Sequence, residues 1–256
     1  SDVYKRQTIG NASTSEGLFF ETVNAIGVHQ VPAVICVWDD DYGISVDNSY
    51  QTTKSSISEA LKGFQRKKNE KGYEILTVNG WDYPSLISTF EHANNVARNE
   101  HVPVLIHVKE LTQPVGHSTS GSHERYKTSE RLEWEKSYDC VLKMKEWILE
   151  NGLFTSKELD KISLECKAYV KQQKDLAWTS YQSTIIKERD SLISVLKKII
   201  EQEKSNEIIE ITNSLLRIRE ISRKDIMTVS RKILRRKITE NSFKKLYTWV
   251  QNYRND

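Results

Sequence analysis

The chain has 256 residues, of which 38% are hydrophobic and 29% charged, and its formal net charge is +3. This length allows one large domain with an extension, and no apolar run approaches the roughly 20 residues that a membrane-spanning helix needs. No signal-peptide pattern opens the chain, so we expect a cytoplasmic protein. The three cysteines, Cys36, Cys140 and Cys166, are too widely spaced for a CxxC metal site, and Cys36 lies in an apolar run that predicts a buried thiol.

The residues that break helices divide the sequence into two parts. All ten Gly lie at or before Gly152, and all four Pro lie at or before Pro114. The last 70 residues hold 17 Lys or Arg and 10 Asp or Glu, whereas the rest holds 21 and 25. We therefore predict a mixed first part and a helical, basic second part.

In chain order, residues 1–7 fit neither a strand nor a helix pattern, and we expect them to be a short foreign leader before a domain that lacks its first strands. Alternating strands and helices follow, which predicts an α/β fold with a parallel sheet. The predicted strands are Val31–Trp38, Tyr73–Val78 and Val102–Val108. The predicted helices between them are Glu16–His29, Ser56–Gln65 and Tyr83–Asn99.

Helical spacing then continues to the end of the chain. The predicted helices are Ser129–Asn151, Ser156–Ile186, Arg189–Glu203, Glu207–Glu220, Arg223–Arg236 and Ser242–Tyr253. We place domain boundaries at 8–152 for the α/β domain, 153–186 for its helical continuation, and 187–256 for a basic helical linker or docking region.

Two segments of the α/β part carry chemistry. Gly10–Gly17 is a loop of small residues that opens a helix, and backbone N–H groups at a helix N-terminus attract phosphate. Three carboxylates, Asp39–Asp41, follow a buried strand, and such crowded charges repel unless a cation or solvent screens them. Mg²⁺ binds hard oxygen ligands together with phosphate oxygens, so Asn11 and Asp40 are candidate ligands. An ordinary polar turn at Asp39–Asp41 is the alternative.

The two segments together resemble the thiamine-diphosphate motif that begins Gly-Asp-Gly and ends Asn-Asn about thirty residues later. Ala12–Gly17 and Tyr42–Ser45 narrow the resemblance to the α subunit of the decarboxylating first component of 2-oxo acid dehydrogenase complexes. It implies that Mg²⁺ is bound by Asn11, Asp40 and the Tyr42 carbonyl. Asn11 stands where the family has an acid and Asp40 where it has Asn, so one amide and one carboxylate remain.

The same resemblance assigns the cofactor contacts. The residues that it implies for thiamine diphosphate are Gly10, Ala12, Ser13, Glu16, Tyr42, Ile44 and His117. His117 belongs to a loop, Gln113–Gly121, which together with Tyr126 and Lys127 is similar to the family's His-Ser loop. It is expected at the phosphate end of the cofactor and at the reacting centre. Trp38 replaces a family Arg that contacts the diphosphate, and Gly121 and Ser122 replace an acidic pair, so we do not predict phosphorylation of Ser118.

The resemblance covers roughly residues 8 to 187 and implies decarboxylation of a 2-oxo acid, with acyl transfer to a lipoyl arm. A branched-chain 2-oxo acid is expected, and a pyruvate-type enzyme is the alternative. The implied partners are a β-type half, a lipoyl acyltransferase and further subunits of an oligomer. We expect the chain to be an internal fragment of an α–β fusion that is inactive alone.

The basic tail leaves two non-catalytic alternatives open. Arg231–Lys237 could contact nucleic-acid phosphates, although its spacing also fits the solvated face of an amphipathic helix, which we favour. The helical tail could instead be a docking module. The motifs GxSxG, GxxxxGK[ST] and HExxH do not occur in the sequence.

Overall fold

The computed structural model describes residues 5–117 and 123–255. It divides into two compact units, Ser1–Leu159 and Asp160–Asp256. The first contains a parallel sheet between helices, and the second is helical. The predicted fold class, an α/β sheet domain followed by a helical extension, is confirmed.

The described part of the first unit contains a four-stranded parallel sheet with the order β1-β2-β6-β5, and a two-stranded antiparallel ribbon of β3 and β4. The strands are β1 (Lys5–Gly10), β2 (Ala33–Trp38), β3 (Tyr42–Gly43), β4 (Val46–Asp47), β5 (Glu74–Asn79) and β6 (Val104–Lys109).

The two central strands are apolar on both faces because each face is covered by helices. In β2, Val34 and Cys36 pack into one hydrophobic cluster, and Ile35 and Val37 pack into another on the opposite face. The alternation follows from the two-residue period of a strand. The helices around the sheet are α1 (Gly17–His29), α2 (Ile57–Ala60), α3 (Tyr83–Asn95), α4 (Ser129–Ser137) and α5 (Cys140–Glu150).

Three elements of the first unit differ from the sequence prediction. Lys5–Gln7 belong to β1, which pairs in parallel with β2, so our prediction that this segment forms no strand was wrong. The foreign origin of residues 1–7 stays a prediction. The helix predicted over Ser56–Gln65 is only α2 followed by a 3-10 turn at Lys62–Phe64. The helix predicted over Ser129–Asn151 is two helices, because Asp139 caps a new N-terminus by accepting a hydrogen bond from Leu142 N at 2.9 Å.

The second unit is built around α6 (Ser156–Glu203), α7 (Asn206–Leu216), α8 (Arg223–Leu234) and α9 (Glu240–Asn255). Buried aliphatic residues from all four helices form one cluster, including Leu196, Leu215, Ile226 and Leu246. The break predicted after Ile186 is absent, since α6 runs continuously through it, and the domain boundary that we placed at 186/187 lies within this helix. Among the described residues, no helix combines the length and apolar character needed to cross a bilayer.

Candidate functional site

The carboxyl ends of three parallel strands bring the two sequence motifs to one edge of the sheet. Gly10 of β1 lies opposite Trp38 of β2, and Trp38 lies opposite Val108 of β6. The chain continues this pairing beyond the strands, because Asn11 N donates to Trp38 O at 3.0 Å and Asp39 N donates to Val108 O at 2.9 Å. Ligands of open α/β sheets bind at this edge.

The ribbon of β3 and β4 lies directly against the Gly10–Gly17 loop. A Cβ added to Gly43 would lie 2.7 Å from the Cβ of Ala12, closer than two carbon atoms can approach. Ser15 Oγ also donates to Gln51 O at 2.8 Å. Residues 12 and 43 therefore touch, and a side chain at position 43 would separate the two halves of the motif.

Two of the three crowded carboxylates have partners within the protein. Asp39 Oδ2 lies 2.7 Å from Nε2 of the buried His107. Asp41 Oδ2 accepts a hydrogen bond from Arg131 at 2.5 Å. Side-chain partners thus relieve part of the repulsion expected at this strand end, at both outer positions.

Asp40 is different from its two neighbours. The residue is only 5% exposed, and its Oδ2 atom is buried with no hydrogen-bond partner among the described residues. Oδ1 receives a long hydrogen bond of 3.4 Å from Tyr42 N. Burial raises the pKa of the Asp40 carboxyl, and the nearby charge of His117 opposes that rise. A buried carboxylate oxygen without a partner is costly, and a cation would relieve that cost.

The His-Ser loop approaches this carboxylate. His117 Nε2 lies 3.5 Å from Asp40 Oδ2, although the two residues are far apart in the sequence. The structure thus brings Asn11, Asp40, Tyr42 and His117 to the same sheet edge. The residues after His117 in the motif, Ser118–Ser122, lie outside the described residues, so the expectations for Ser118, Gly121 and Ser122 stay predictions.

A buried ion pair lies next to the ring of Tyr42. Lys127 Nζ donates to both carboxylate oxygens of Glu135, at 2.8 and 2.9 Å, and both side chains are almost completely buried. Arg131 joins the same carboxylate at 2.9 Å and donates to Asp40 O at 2.9 Å. The Lys127 ammonium lies 5.0 Å from the centre of the Tyr42 ring. This cluster connects α4 to the strand end that carries Asp40.

The remaining predicted cofactor residues lie around the same edge. A Cβ at Gly10 would meet no described atom within 4 Å, so there is open space above this position. Ser13 and Glu16 are exposed just before α1, whose N-cap is Glu16. Ile44 is 66% exposed and has a φ of 58°. A β-branched residue rarely adopts this left-handed conformation, which marks a constrained backbone.

Several residues of the site were not found by sequence reasoning. His107 lies within an apolar strand, and a polar side chain there must have a partner, so the signal was present. Arg131 lies in a predicted helix, where a charged side chain is usually exposed. Asn48 follows β4 in a short turn, and its sequence context gave no signal that it would be buried.

The three candidate ligands are of the types that a hard cation accepts. In the part of the chain that the structure describes, no group of three or more His, Cys, Asp or Glu side chains could hold a metal ion. The predicted set is of another kind, with one carboxylate, one amide and one carbonyl beside a phosphate ligand. The Asp40 oxygen that accepts no hydrogen bond among the described residues is suited to this set. Trp38 stacks on Phe90 with 6.4 Å between ring centroids and has no positive charge for a diphosphate.

Comparison with known proteins gives alpha subunits of 2-oxoisovalerate and pyruvate dehydrogenases. The chain is 29% identical to 2-oxoisovalerate dehydrogenase subunit alpha 1, mitochondrial, of Arabidopsis thaliana over 156 residues, which is 60% of this chain and 31% of the plant protein. It is 25% identical to the pyruvate dehydrogenase E1 component subunit alpha of Mycoplasma pneumoniae over 150 residues, 59% of this chain and 40% of that protein. It is 26% identical to the pyruvate dehydrogenase E1 component subunit alpha of Staphylococcus aureus (strain COL) over 165 residues, which is 63% of this chain and 42% of that protein.

The chain therefore spans about a third to two fifths of the length of these relatives. The family model described as the dehydrogenase E1 component matches residues 3–185, which includes the sheet, the acidic strand end and the His-Ser loop. The chain belongs to the dehydrogenase E1 component family.

Proposed function

We propose that this chain is the α-type part of a thiamine-diphosphate-dependent 2-oxo acid dehydrogenase, with Mg²⁺ bound between Asp40 and the cofactor's diphosphate. The observation that carries the proposal is the Asp40 Oδ2 atom, which is buried and accepts no hydrogen bond from the described residues. Its nearest charged neighbour is the His117 ring at 3.5 Å, whereas Asp39 and Asp41 both have close partners. An ordinary polar turn would expose that oxygen to water or give it a donor.

In this proposal Asn11, Asp40 and the Tyr42 carbonyl hold the cation, and the loop before α1 holds the diphosphate. Gly10, Ala12, Ser13 and Glu16 lie along that loop. Backbone N–H groups at the start of α1 would bind phosphate oxygens, favoured by the helix dipole. Thiamine diphosphate supplies an electron sink for the decarboxylation of a 2-oxo acid when it is bound.

His117 and Ile44 have separate roles in the proposal. His117 lies next to the carboxylate that would hold the cation, so its ring N–H can donate to a phosphate or substrate oxygen at that end. Ile44 has an exposed apolar side chain on a constrained backbone, and we propose that this side chain contacts a ring of the cofactor. Both assignments place a side chain of this chain against the bound molecule.

The substrate that we favour is a branched-chain 2-oxo acid, and pyruvate is the alternative. The relatives named above include both types at similar identity, so their names support either choice. Comparing kcat/KM for 2-oxoisovalerate and pyruvate in the complete enzyme would decide between them. A higher value for pyruvate would contradict the branched-chain assignment.

We further propose that the chain acts in the cytoplasm within an oligomer, with a β-type half that completes the site and a lipoyl acyltransferase that accepts the acyl group. The isolated 256-residue chain is then expected to show no turnover with 2-oxoisovalerate, Mg²⁺ and thiamine diphosphate. Turnover by the isolated chain would contradict the need for a β-type half.

Substitution of Asp40 tests the metal site. We expect Asp40→Ala in the complete enzyme to abolish Mg²⁺-dependent binding of thiamine diphosphate, because the cation loses its carboxylate ligand. Isothermal titration with the cofactor, in Mg²⁺ and in EDTA, measures the effect. Asp41→Asn is the matched control, since it removes the same charge from a carboxylate that pairs with Arg131. Unchanged affinity in Asp40→Ala would return Asp40 to the polar-turn interpretation.

A further inference from the structure

A chain of buried hydrogen bonds ends at the amide of Asn11. Ser58 Oγ lies 2.9 Å from His107 Nδ1, and His107 Nε2 lies 2.7 Å from Asp39 Oδ2. Asn48 Nδ2 donates to both oxygens of Asp39, at 2.9 and 3.1 Å. Asn11 Nδ2 in turn donates to Asn48 Oδ1 at 3.0 Å. All five residues are less than 9% exposed.

The direction of each amide follows from the Asp39 carboxyl group in the middle of this series of hydrogen bonds. Asn48 directs its NH₂ group toward Asp39, where both carboxyl oxygens accept from it. The Oδ1 atom of Asn48 then lies at the other end of the planar amide group and requires a donor. Asn11 supplies that donor through its NH₂ group, which leaves its own Oδ1 atom directed away from Asn48.

This direction matters for a cation ligand. A carboxylate has two equivalent oxygens and can bind a cation in either orientation of its plane. An amide has one oxygen and one NH₂ group, and the NH₂ group repels a cation. An Asn ligand therefore needs a neighbour that fixes which end faces the metal, whereas an Asp ligand does not.

We propose that Asn48 is the positioning residue that holds the Asn11 amide with its oxygen toward the cation, fixed in turn by Asp39 and His107. The inference rests on the magnesium site proposed above and adds a residue that the cofactor motif does not include. Asn48 acts through Asn11 and does not itself bind the metal.

The test uses Mn²⁺ together with thiamine diphosphate as the probe, because the proposed site includes a phosphate ligand. Mn²⁺ takes the same oxygen ligands as Mg²⁺, and free Mn²⁺ can be counted by electron spin resonance. In the complete enzyme, Asn48→Ala is expected to weaken Mn²⁺ binding about 10–100-fold, the usual effect of losing a partner that orients a metal ligand. In the Asn11→Asp background, the same Asn48→Ala substitution is expected to cause no weakening, since a carboxylate needs no orienting partner.

Two controls separate positioning from loss of structure. Asp47→Ala removes the side chain that caps the same turn, where Asp47 Oδ1 accepts from Ser49 N at 2.9 Å, and should leave Mn²⁺ affinity within about threefold of the original. Asn48→Ser keeps a donor for Asp39 but is too short to reach both partners. If Asn48→Ala does not fold, Asn48→Ser is measured in its place and should show the same loss of Mn²⁺ affinity.

The outcomes are distinguishable. Equal weakening by Asn48→Ala in both backgrounds, or no weakening in either, would overturn the positioning role alone. If the unsubstituted enzyme binds no Mn²⁺ in the presence of thiamine diphosphate, the magnesium site of the proposed function fails, and the role of Asn48 fails with it.

Discussion

Burial controls the chemistry of single side chains in this protein, and Cys36 is an example. It lies in the middle of β2 and is completely buried. Burial raises the pKa of its thiol to about 12, and the charge of Arg6 opposes the rise only in part. Since the thiolate is the reactive form, we expect Cys36 to be inert toward a thiol reagent at pH 8. The exposed Cys166 should react at once.

Timed labelling with a chromogenic disulfide reagent checks this expectation. Cys166→Ser should remove the fast phase, whereas Cys36→Ser should leave it unchanged and lower only the total found in denaturant. The sign for stability follows from the raised pKa: the contribution of the neutral thiol is complete below the unfolded pKa of about 8.5 and declines as pH rises toward the folded value. Fast labelling of Cys36 in the folded protein would show that β2 opens readily.

The sequence predicted Asn11, Asp40 and His117 but not their surroundings. The crowding of Asp39–Asp41 could be recognised in the sequence because like charges repel. Sequence alone could not show which carboxylate has a buried oxygen that accepts no hydrogen bond from the described residues. That distinction depends on His107 and Arg131, which come from a different strand and a helix. Asn48 was not predictable at all, because its burial results from the turn that follows β4.

At the level of elements, the buried ion pair of Lys127 and Glu135 is joined by Arg131 to the strand end that carries Asp40. We expect Lys127→Met to lower the free energy of unfolding by about 3 kcal/mol, because removing one partner leaves a buried carboxylate incompletely compensated. Arg131 still binds Glu135, which keeps the loss at the low end of the usual range. Urea denaturation followed by tryptophan fluorescence measures the change.

The same helix offers a matched control. Lys136 pairs with Glu133 at 3.6 Å, and both side chains are more than 70% exposed. Lys136→Met should leave the urea midpoint unchanged, because exposed pairs contribute little. The double variant Lys127→Met/Glu135→Leu should recover part of the loss, since no buried charge then lacks its partner. Equal losses at Lys127 and Lys136 would contradict the importance of burial here.

Elements with a strong apolar pattern were predictable, and those defined by pairing were not. β2 and β6 were evident because both faces are buried. Most of β1 is exposed, so its side chains carry no strand pattern, and only its hydrogen bonds to β2 define it. The break between α4 and α5 depends on the cap at Asp139, which outweighs the helical spacing on either side.

For the molecule as a whole, the distribution of Gly and Pro predicted two parts, and the structure contains two units whose buried clusters share no residue. We expect the units to respond separately to damage in their cores. Leu196→Ala should destabilise the helical unit by about 2–5 kcal/mol, the usual cost of such a cavity. Hydrogen exchange detected by mass spectrometry should rise across residues 185–250.

Val104→Ala is the counterpart in the sheet, where Val104 is completely buried. Exchange should then rise in β2, β5 and β6 and remain unchanged in α7–α9. A uniform rise across both units from either substitution would mean that the chain unfolds as one cooperative body. The limits of the units were not predictable from sequence, because α6 continues through the position where the charge balance changes.

The backbone at Ile44 has a consequence for attempts to stabilise this protein. A β-branched residue with a φ of 58° costs about 1–3 kcal/mol, and its exposed side chain gains little from packing within the chain. Selection for thermal stability alone would therefore replace it with Gly, which accepts this conformation freely. Stability screens would remove the apolar contact that we assign to the cofactor, so they should include cofactor affinity as a second criterion.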